Sequence, residues 1–413
     1  MYWVPIERRS SCQFVKVPVV VHCTPCTLYT VHPIFLLAPT RLRARTTVHQ
    51  TSTSKSQFLK SLKNQRIMKS VTTSTMRCMI VCCIFASNIS HILAEADDLP
   101  EKETCFENSE KTTKIRLGLE WFLNPDHLPI VVALEHGIFK DFGLEIELIE
   151  PNDHWEAEKE ILDGRLDVAT TEPLHLAMDA MNGKPVFGFS RFFHTDGGVM
   201  FKKGDIERPR DMCGKTITYP GYPGPGGPAI VQTMVEADGG TCDLSSYGKY
   251  DGGFFHTDAI ESGNADLATL IFWNFEIPEA EARELEVDFF SLKDYGVPDF
   301  CQLILFTTPS RFEELKDDLR KMVLAMRKAT GIIHRYPELA KQYYISHVGQ
   351  AQDDEAQKIQ IATLQATLPA FPNDNSMSDD YYLRLMSWLS NTDQVESGLQ
   401  AEVPSFWTNE ISW

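Results

Sequence analysis

The sequence predicts an α/β fold built as two lobes with a ligand cleft between them, and three observations carry that prediction. From Lys114 the apolar residues switch repeatedly between a two-residue and a helical period, and near residue 198 the composition changes and a second run of the same kind begins. A strand and a long helix follow residue 301. At 413 residues the chain exceeds what one small core organises, which agrees with two lobes.

Each element has its own signal. In "KIRLGLEWF" Ile115, Leu117 and Leu119 alternate on one face and predict a strand, "LPIVVALEHGIF" has helical spacing, and "GLEIELIE" alternates again. A strand, helix, strand unit of this length implies parallel pairing with a right-handed crossover. "EAEKEILDG" reads as a short helix, "RLDVATTEP" as a strand, "LHLAMDAMNG" as a helix closed by Gly183, and "PVFGFSRFF" as a strand, completing the first part of lobe 1 over residues 114–197. Lobe 2, residues 198–300, opens with a strand, a Pro- and Gly-rich loop from Pro220 to Pro228 and a helix from Ala229. It continues with a helix capped near Gly263 and a strand ending at Trp273. Residues 301–413 return to lobe 1: "QLILFTTPS" is a strand, Ser310 and Glu313 form a capping box for a helix reaching Tyr336, Pro337 interrupts it, and the rest is helical.

The N-terminal third has a different character. Residues 1–67 hold ten Lys or Arg against one acid, Glu7, so the remainder carries a net charge of −27 within a total of −18. So acidic a body repels phosphate backbones and anionic lipid, which excludes nucleic acid as a partner. Residues 1–67 are basic, broken by prolines and without period, and read as a disordered or artefactual extension. Residues 68–96 have the outline of a secretory signal peptide: Met68, then Lys69 and Arg77, the apolar run "CMIVCCIFA", and the small-residue site Ala94-Glu95-Ala96. The alternative is a short buried helix. A signal peptide predicts a secreted or extracytoplasmic mature chain that follows a linker over residues 97–113 and is not inserted in the membrane. Four cysteines follow it, Cys105, Cys213, Cys242 and Cys301. Cys213 with Cys242 is the preferred disulfide in an oxidising compartment, four free buried thiols the alternative.

In a two-lobed α/β protein a ligand sits at the carboxyl ends of strands. In "EWFLNPDH" Pro125 stops the strand, Asn124 initiates a turn and Asp126 is a candidate N-cap for a helix beginning near His127. Trp121 can stack on a planar ligand or simply be buried. Thr170-Thr171-Glu172 sets two hydroxyls and a carboxylate at the next strand end, with His175 one turn into a helix; the carboxylate can pair with an amidine-like edge or cap the helix. Gly221, Tyr222 and Gly224 lie in the loop "YPGYPGPGGPAI", which leads into a helix N-terminus suited to an anion or is only a rigid turn. Trp273 ends a lobe 2 strand. No GxSxG or HExxH motif occurs, no histidine spacing suggests a metal, and the repeat of "FFHTD" at Phe192 and Phe254 reads as coincidence.

The segments "LGLEWFLNPDHLPIVVALEHGIFKDFGLEIELIEP", "ILDGRLDVATTEP" and "GKPV" resemble a family that includes periplasmic binding proteins for aliphatic sulfonates and thiamine pyrimidines and the fungal thiamine-pyrimidine synthases, over about residues 114–345. The Trp-Phe-x-Asn-Pro-Asp-His segment is most similar to bacterial binding proteins for formylated aminopyrimidine. The resemblance implies a type II periplasmic-binding-protein fold and a small-molecule ligand, a thiamine-related aminopyrimidine, with Trp121, Asn124, Asp126, His127, Thr171, Glu172, His175, Gly221, Tyr222, Gly224 and Trp273 around it, no cofactor, and a membrane transporter as a further partner. The alternative it implies is a synthase that makes the pyrimidine from pyridoxal phosphate and its own His175 with iron. Two departures weigh against that: Thr171 stands where the cofactor lysine is expected, and the cysteine-rich run is replaced by "YGVPDFCQLILF", with only Cys301.

Overall fold

The computed structural model describes residues 112–151, 156–219, 226–395 and 405–412. The expected extension and leader lie outside the described residues, as does nearly all of the linker, and with them Cys105.

β1 (Thr113–Gly118) buries Ile115 and Leu117 on the predicted face, and β2 (Leu144–Ile149) pairs with it in parallel from Thr113↔Leu144 to Gly118↔Ile149. Parallel neighbours need a crossover, supplied by the buried α1 (Leu128–Glu135) and the short α2 (Ile138–Asp141). After α3 (Ala157–Leu162), β3 (Val168–Thr171) joins the other side of β1, and α4 (Pro173–Met181) leads to β4 (Phe187–His194). The chain then enters a second sheet with β5 (Gly197–Lys202), β6 (Thr216–Thr218), α5 (Gly226–Ala237), β7 (Gly248–Tyr250), α6 (His256–Glu261), β8 (Leu267–Phe272), α7 (Trp273–Ala282) and β9 (Val287–Ser291). It returns to the first sheet through β10 (Gln302–Thr307), followed by α8 (Pro309–Arg335), α9 (Pro337–Val348), α10 (Asp354–Thr367) and α11 (Asp379–Asn391). The strand orders are β2-β1-β3-β10-β4 and β7-β6-β8-β5-β9.

Parallel pairing holds for β1, β2 and β3 and for β6, β7 and β8, whereas β10 and β5 are antiparallel to their neighbours. β5 and β10 are the strands by which the chain enters each sheet from the other, with at most a short 3-10 turn, Leu292–Tyr295, on the way. Three expected boundaries shift. Thr308, rather than Ser310, caps α8: Pro309 holds the preceding residue extended, and the Thr308 side chain accepts the Arg311 N–H at 3.3 Å. The helix expected from Ala229 starts at Gly226. Trp273 opens a helix instead of ending a strand, because the Glu276 carboxylate accepts the Phe272 N–H at 2.9 Å and closes the first turn.

α8 buries Leu319, Met322, Val323, Met326, Ala329 and Ile333 at three- and four-residue spacing over the first sheet, next to α1. Cys213 and Cys242 form the preferred disulfide, with Cα atoms 5.6 Å apart, and Cys301 is a buried free thiol. Among the described residues no helix is long and apolar enough to cross a membrane.

Candidate functional site

The ends of β1, β3 and β8 converge on a cleft with about 400 Å³ of empty space, part of it open to solvent. Its polar lining is built one carboxylate at a time. Glu120 follows β1, and Thr170 of β3 accepts its backbone N–H at 3.0 Å while its hydroxyl donates to the Glu120 carboxylate. His127 holds that carboxylate from behind: Nδ1 accepts the Asn124 N–H at 3.3 Å, which leaves Nε2–H, 2.9 Å from Glu120 Oε1, as the donor.

The Asn-Pro-Asp-His turn explains how that histidine is fixed. Asn124, not Asp126, is the N-cap: its side-chain oxygen accepts the Asp126 N–H at 2.8 Å, and Pro125 takes the first position, where no N–H is needed. Asp126 is thereby free to turn inward, almost fully buried, where its Oδ1 accepts from Asn274 Nδ2 at 2.6 Å. The same amide donates to Thr367 at 2.7 Å, so this bond ties the first sheet's turn to α7 and to the end of α10. Burial, reinforced by the negative charges of Glu276 and Glu120, raises the Asp126 pKa to about 7 against the opposing pull of His127 and Asn274.

Glu172 precedes Pro173 at the start of α4. Its carboxylate lies 2.7 Å from His175 Nδ1, and His175 Nε2 lies 3.3 Å from the hydroxyl of Tyr219, at the end of β6, so the chain of bonds crosses from one sheet to the other. Burial pulls the His175 pKa down, but the Glu172 charge and hydrogen bond outweigh it and hold it above the ordinary range. Burial likewise pushes the Tyr219 hydroxyl well up, so Tyr219 stays neutral.

The second sheet contributes Glu276 and His256. Glu276 Oε1 lies 3.1 Å from His256 Nδ1, while its other oxygen holds the Phe272 N–H. His256 is 2% exposed, and its Nε2 faces no partner among the described residues. Leu270, also on the cleft, is the extra residue of a bulge in β8 between the Gly198↔Ile271 and Val199↔Thr269 pairs, and it adopts φ +59°. A branched side chain in the left-handed region is strained, and such strain gathers at ligand sites. The aromatic wall is Trp121, Phe272 and Phe275, with Phe254 packed against Trp121, ring centroids 4.2 Å apart and tilted by 48°, and Phe122 packed against Phe254 and Phe275.

Glu120, Asp126, Glu172 and Glu276 all line the cleft, and no Lys or Arg does among the described residues. Carboxylates accept hydrogen bonds, so this lining suits a ring that presents several N–H groups or carries positive charge, and it repels sulfonate and phosphate.

Of the residues singled out in the sequence, the cleft brings together Trp121, Asn124, Asp126 and Glu172. His127 and His175 stand behind it and orient Glu120 and Glu172, and Thr171 is buried in β3 opposite Ile304. Trp273 is 43% exposed and does not line the cleft; Gly221, Tyr222 and Gly224 fall outside the described residues. Glu120, His256 and Leu270 were missed, and of the strand-end residues 271–276, from which Trp273 was chosen, it is Phe272, Phe275 and Glu276 that line the cleft. A signal for the last three existed: positions 272, 275 and 276 share one face of a helix, whereas a strand reading turns Trp273 inward.

The model of the family described as "NMT1/THI5 like" matches residues 124–340, more than half of the chain, from the Asn124 cap into α9. The chain belongs to this family. Among NMT1/THI5-like relatives, a formylaminopyrimidine-binding protein of Halalkalibacterium halodurans is 26% identical over 301 residues, covering 71% of this chain and 90% of its own. A 4-amino-5-hydroxymethyl-2-methylpyrimidine phosphate synthase of Aspergillus parasiticus is 25% identical, covering 57% and 70%. Among solved structures, the alkanesulfonate-binding protein SsuA of Xanthomonas axonopodis pv. citri, bound to MOPS, superimposes with TM-score 0.53 at 12% identity over 71% of this chain and 95% of its own. The Candida albicans CA3427 gene product, described as having the generic periplasmic binding protein structural fold, gives 0.53 at 11% over 72% and 96%. The fold is therefore that of the periplasmic binding proteins, as the resemblance implied.

Proposed function

We propose that this protein binds a thiamine-related aminopyrimidine in the cleft between its two sheets and is a binding protein, not an enzyme. The observation that carries the reading is the carboxylate lining of Glu120, Glu172 and Glu276, with no Lys or Arg among the described lining, beside an aromatic wall, which matches a flat ring with amino and amide N–H groups. The formylaminopyrimidine-binding relative, covered over 90% of its length, supports the same ligand class. The Cys213–Cys242 bond supports function in an oxidising, extracytoplasmic compartment.

The second reading, a pyrimidine phosphate synthase, is favoured by the synthase relatives and by the position of His175 beside Glu172. The residues present do not fit pyridoxal phosphate. Thr171 supplies no amine for an imine, and the phosphate would face carboxylates without a Lys or Arg among the described lining.

Native mass spectrometry of the chain from Glu95, titrated with formylaminopyrimidine, 4-amino-5-hydroxymethyl-2-methylpyrimidine and pyridoxal phosphate, separates the two. A one-to-one pyrimidine adduct is the expected result. Retained pyridoxal phosphate with loss of mass from His175 on turnover would overturn it in favour of the synthase.

A further inference from the structure

The segment Phe254-Phe255-His256-Thr257-Asp258 repeats residues 192–196, and the two copies have different surroundings. In the first, His194 lies on a partly exposed part of β4, with Nε2 2.9 Å from Asp299. In the second, His256 opens α6 and is buried against Trp121, ring centroids 5.7 Å apart, at the edge of the cleft. Glu276 is fixed by the Phe272 N–H and accepts from His256, so the His256 proton sits on Nδ1 and the lone pair of Nε2, buried in a residue that lines the cleft, has no partner among the described residues. A buried ring nitrogen without a partner is costly unless something else satisfies it.

We propose that His256 is a specificity-determining residue: its Nε2, oriented through Nδ1 by Glu276, accepts a hydrogen bond from the exocyclic amino group of a pyrimidine bound in the cleft and so rejects the 4-oxo counterpart. The inference rests on the aminopyrimidine reading and adds which atom tells amine from carbonyl. A carbonyl oxygen facing the Nε2 lone pair would set acceptor against acceptor, and a site built to receive a donor discriminates sharply against a ligand that lacks it.

Two substitutions isolate the nitrogen. His256→Asn keeps an amide N–H near the Nδ1 position for Glu276 and removes the group at Nε2; His256→Gln extends an amide oxygen towards the Nε2 position. Titration calorimetry of the chain from Glu95 is carried out with 4-amino-5-hydroxymethyl-2-methylpyrimidine and its 4-oxo counterpart, and thermal melts confirm that each variant folds. The expected result is that the wild-type chain prefers the amino form, that His256→Asn weakens it by about tenfold or more while the oxo form binds more tightly or at least no more weakly, and that His256→Gln restores part of the preference. Wild-type binding of the amino form, with His256→Asn folded and keeping the same affinity and amino-to-oxo ratio, overturns this inference alone. A wild-type chain that binds neither pyrimidine overturns the proposed function and this inference together.

Discussion

Asp126→Asn exchanges an ionisable group for a neutral one of nearly the same shape at the centre of the Asp126–Asn274–Thr367 chain, and its amide oxygen can still accept from Asn274. In the wild-type protein burial raises Asp126 from an ordinary value near 3.8 to about 7. A carboxyl raised in this way holds its proton more tightly when folded than when unfolded. The stability it contributes is therefore complete below pH 4, falls as the pH rises towards 7, and is flat above. From pH 5 to pH 7, at 1.36 kcal/mol per unit, the loss is roughly 3 kcal/mol. Asparagine has no proton to lose, so urea unfolding at pH 5 and pH 8 should show the variant gaining roughly that amount on the wild type across the interval. His175 and Glu279, whose pKa values are also raised, titrate in both proteins and cancel in the difference, whereas His127, held up in part by the Asp126 charge, belongs to the same titration and is read with it. An identical pH dependence in the two proteins would refute the conclusion that burial holds Asp126 neutral.

Other perturbations probe separate parts of the molecule. Trp121→Ala removes one face of the aromatic wall and should weaken pyrimidine binding by about 1–3 kcal/mol in calorimetry, with little change in melting temperature. Glu284 is exposed at φ +58° just past the end of α7, where its N–H and that of Leu285 close a Schellman turn on Glu281 and Ala280. Glu284→Gly should accordingly stabilise the fold by about 0.5–1 kcal/mol in urea unfolding. The Cys213–Cys242 bond spans a sequence separation of 29, and replacing both residues by alanine should cost about 3–4 kcal/mol, seen as a lower urea midpoint under oxidising conditions.

The parts of the fold that could be read from sequence are those whose signal is local. The alternation of Ile115 and Leu117 and the parallel β1–β2 unit follow from side-chain period alone, and so do α1 and α8. The short β7 and the edge strand β9 are set by their neighbours in the second sheet and were not predicted. The same division runs through the candidate site. Trp121, Asn124 and Glu172 stand just after strands of the first sheet, where the strand-end rule finds them. Leu270 depends on a bulge in the pairing of β8 with β5, a contact between distant segments, whereas Glu276 follows from where α7 begins, which the local bond to Phe272 decides and a strand reading passes over, and His256 from where α6 begins. Asp126 was found for the wrong reason: the cap is Asn124, and the aspartate is turned inward by it.

The last two helices among the described residues tie the two sheets to each other. Thr367 at the end of α10 accepts from Asn274, and Trp388 of α11 donates its indole N–H at 3.0 Å to Thr233 on α5, while Asn375 between those helices accepts the N–H of Arg191 on β4. The C-terminal segment is thus fastened to helices of the second sheet and to a strand of the first, and the bond from Asp126 to Asn274 spans the space between them. Separating the two sheets has to break contacts that water does not reach. A change in this C-terminal segment, far in sequence from Glu120 and Glu276, would therefore move the two walls of the cleft relative to each other and alter binding without touching a lining residue.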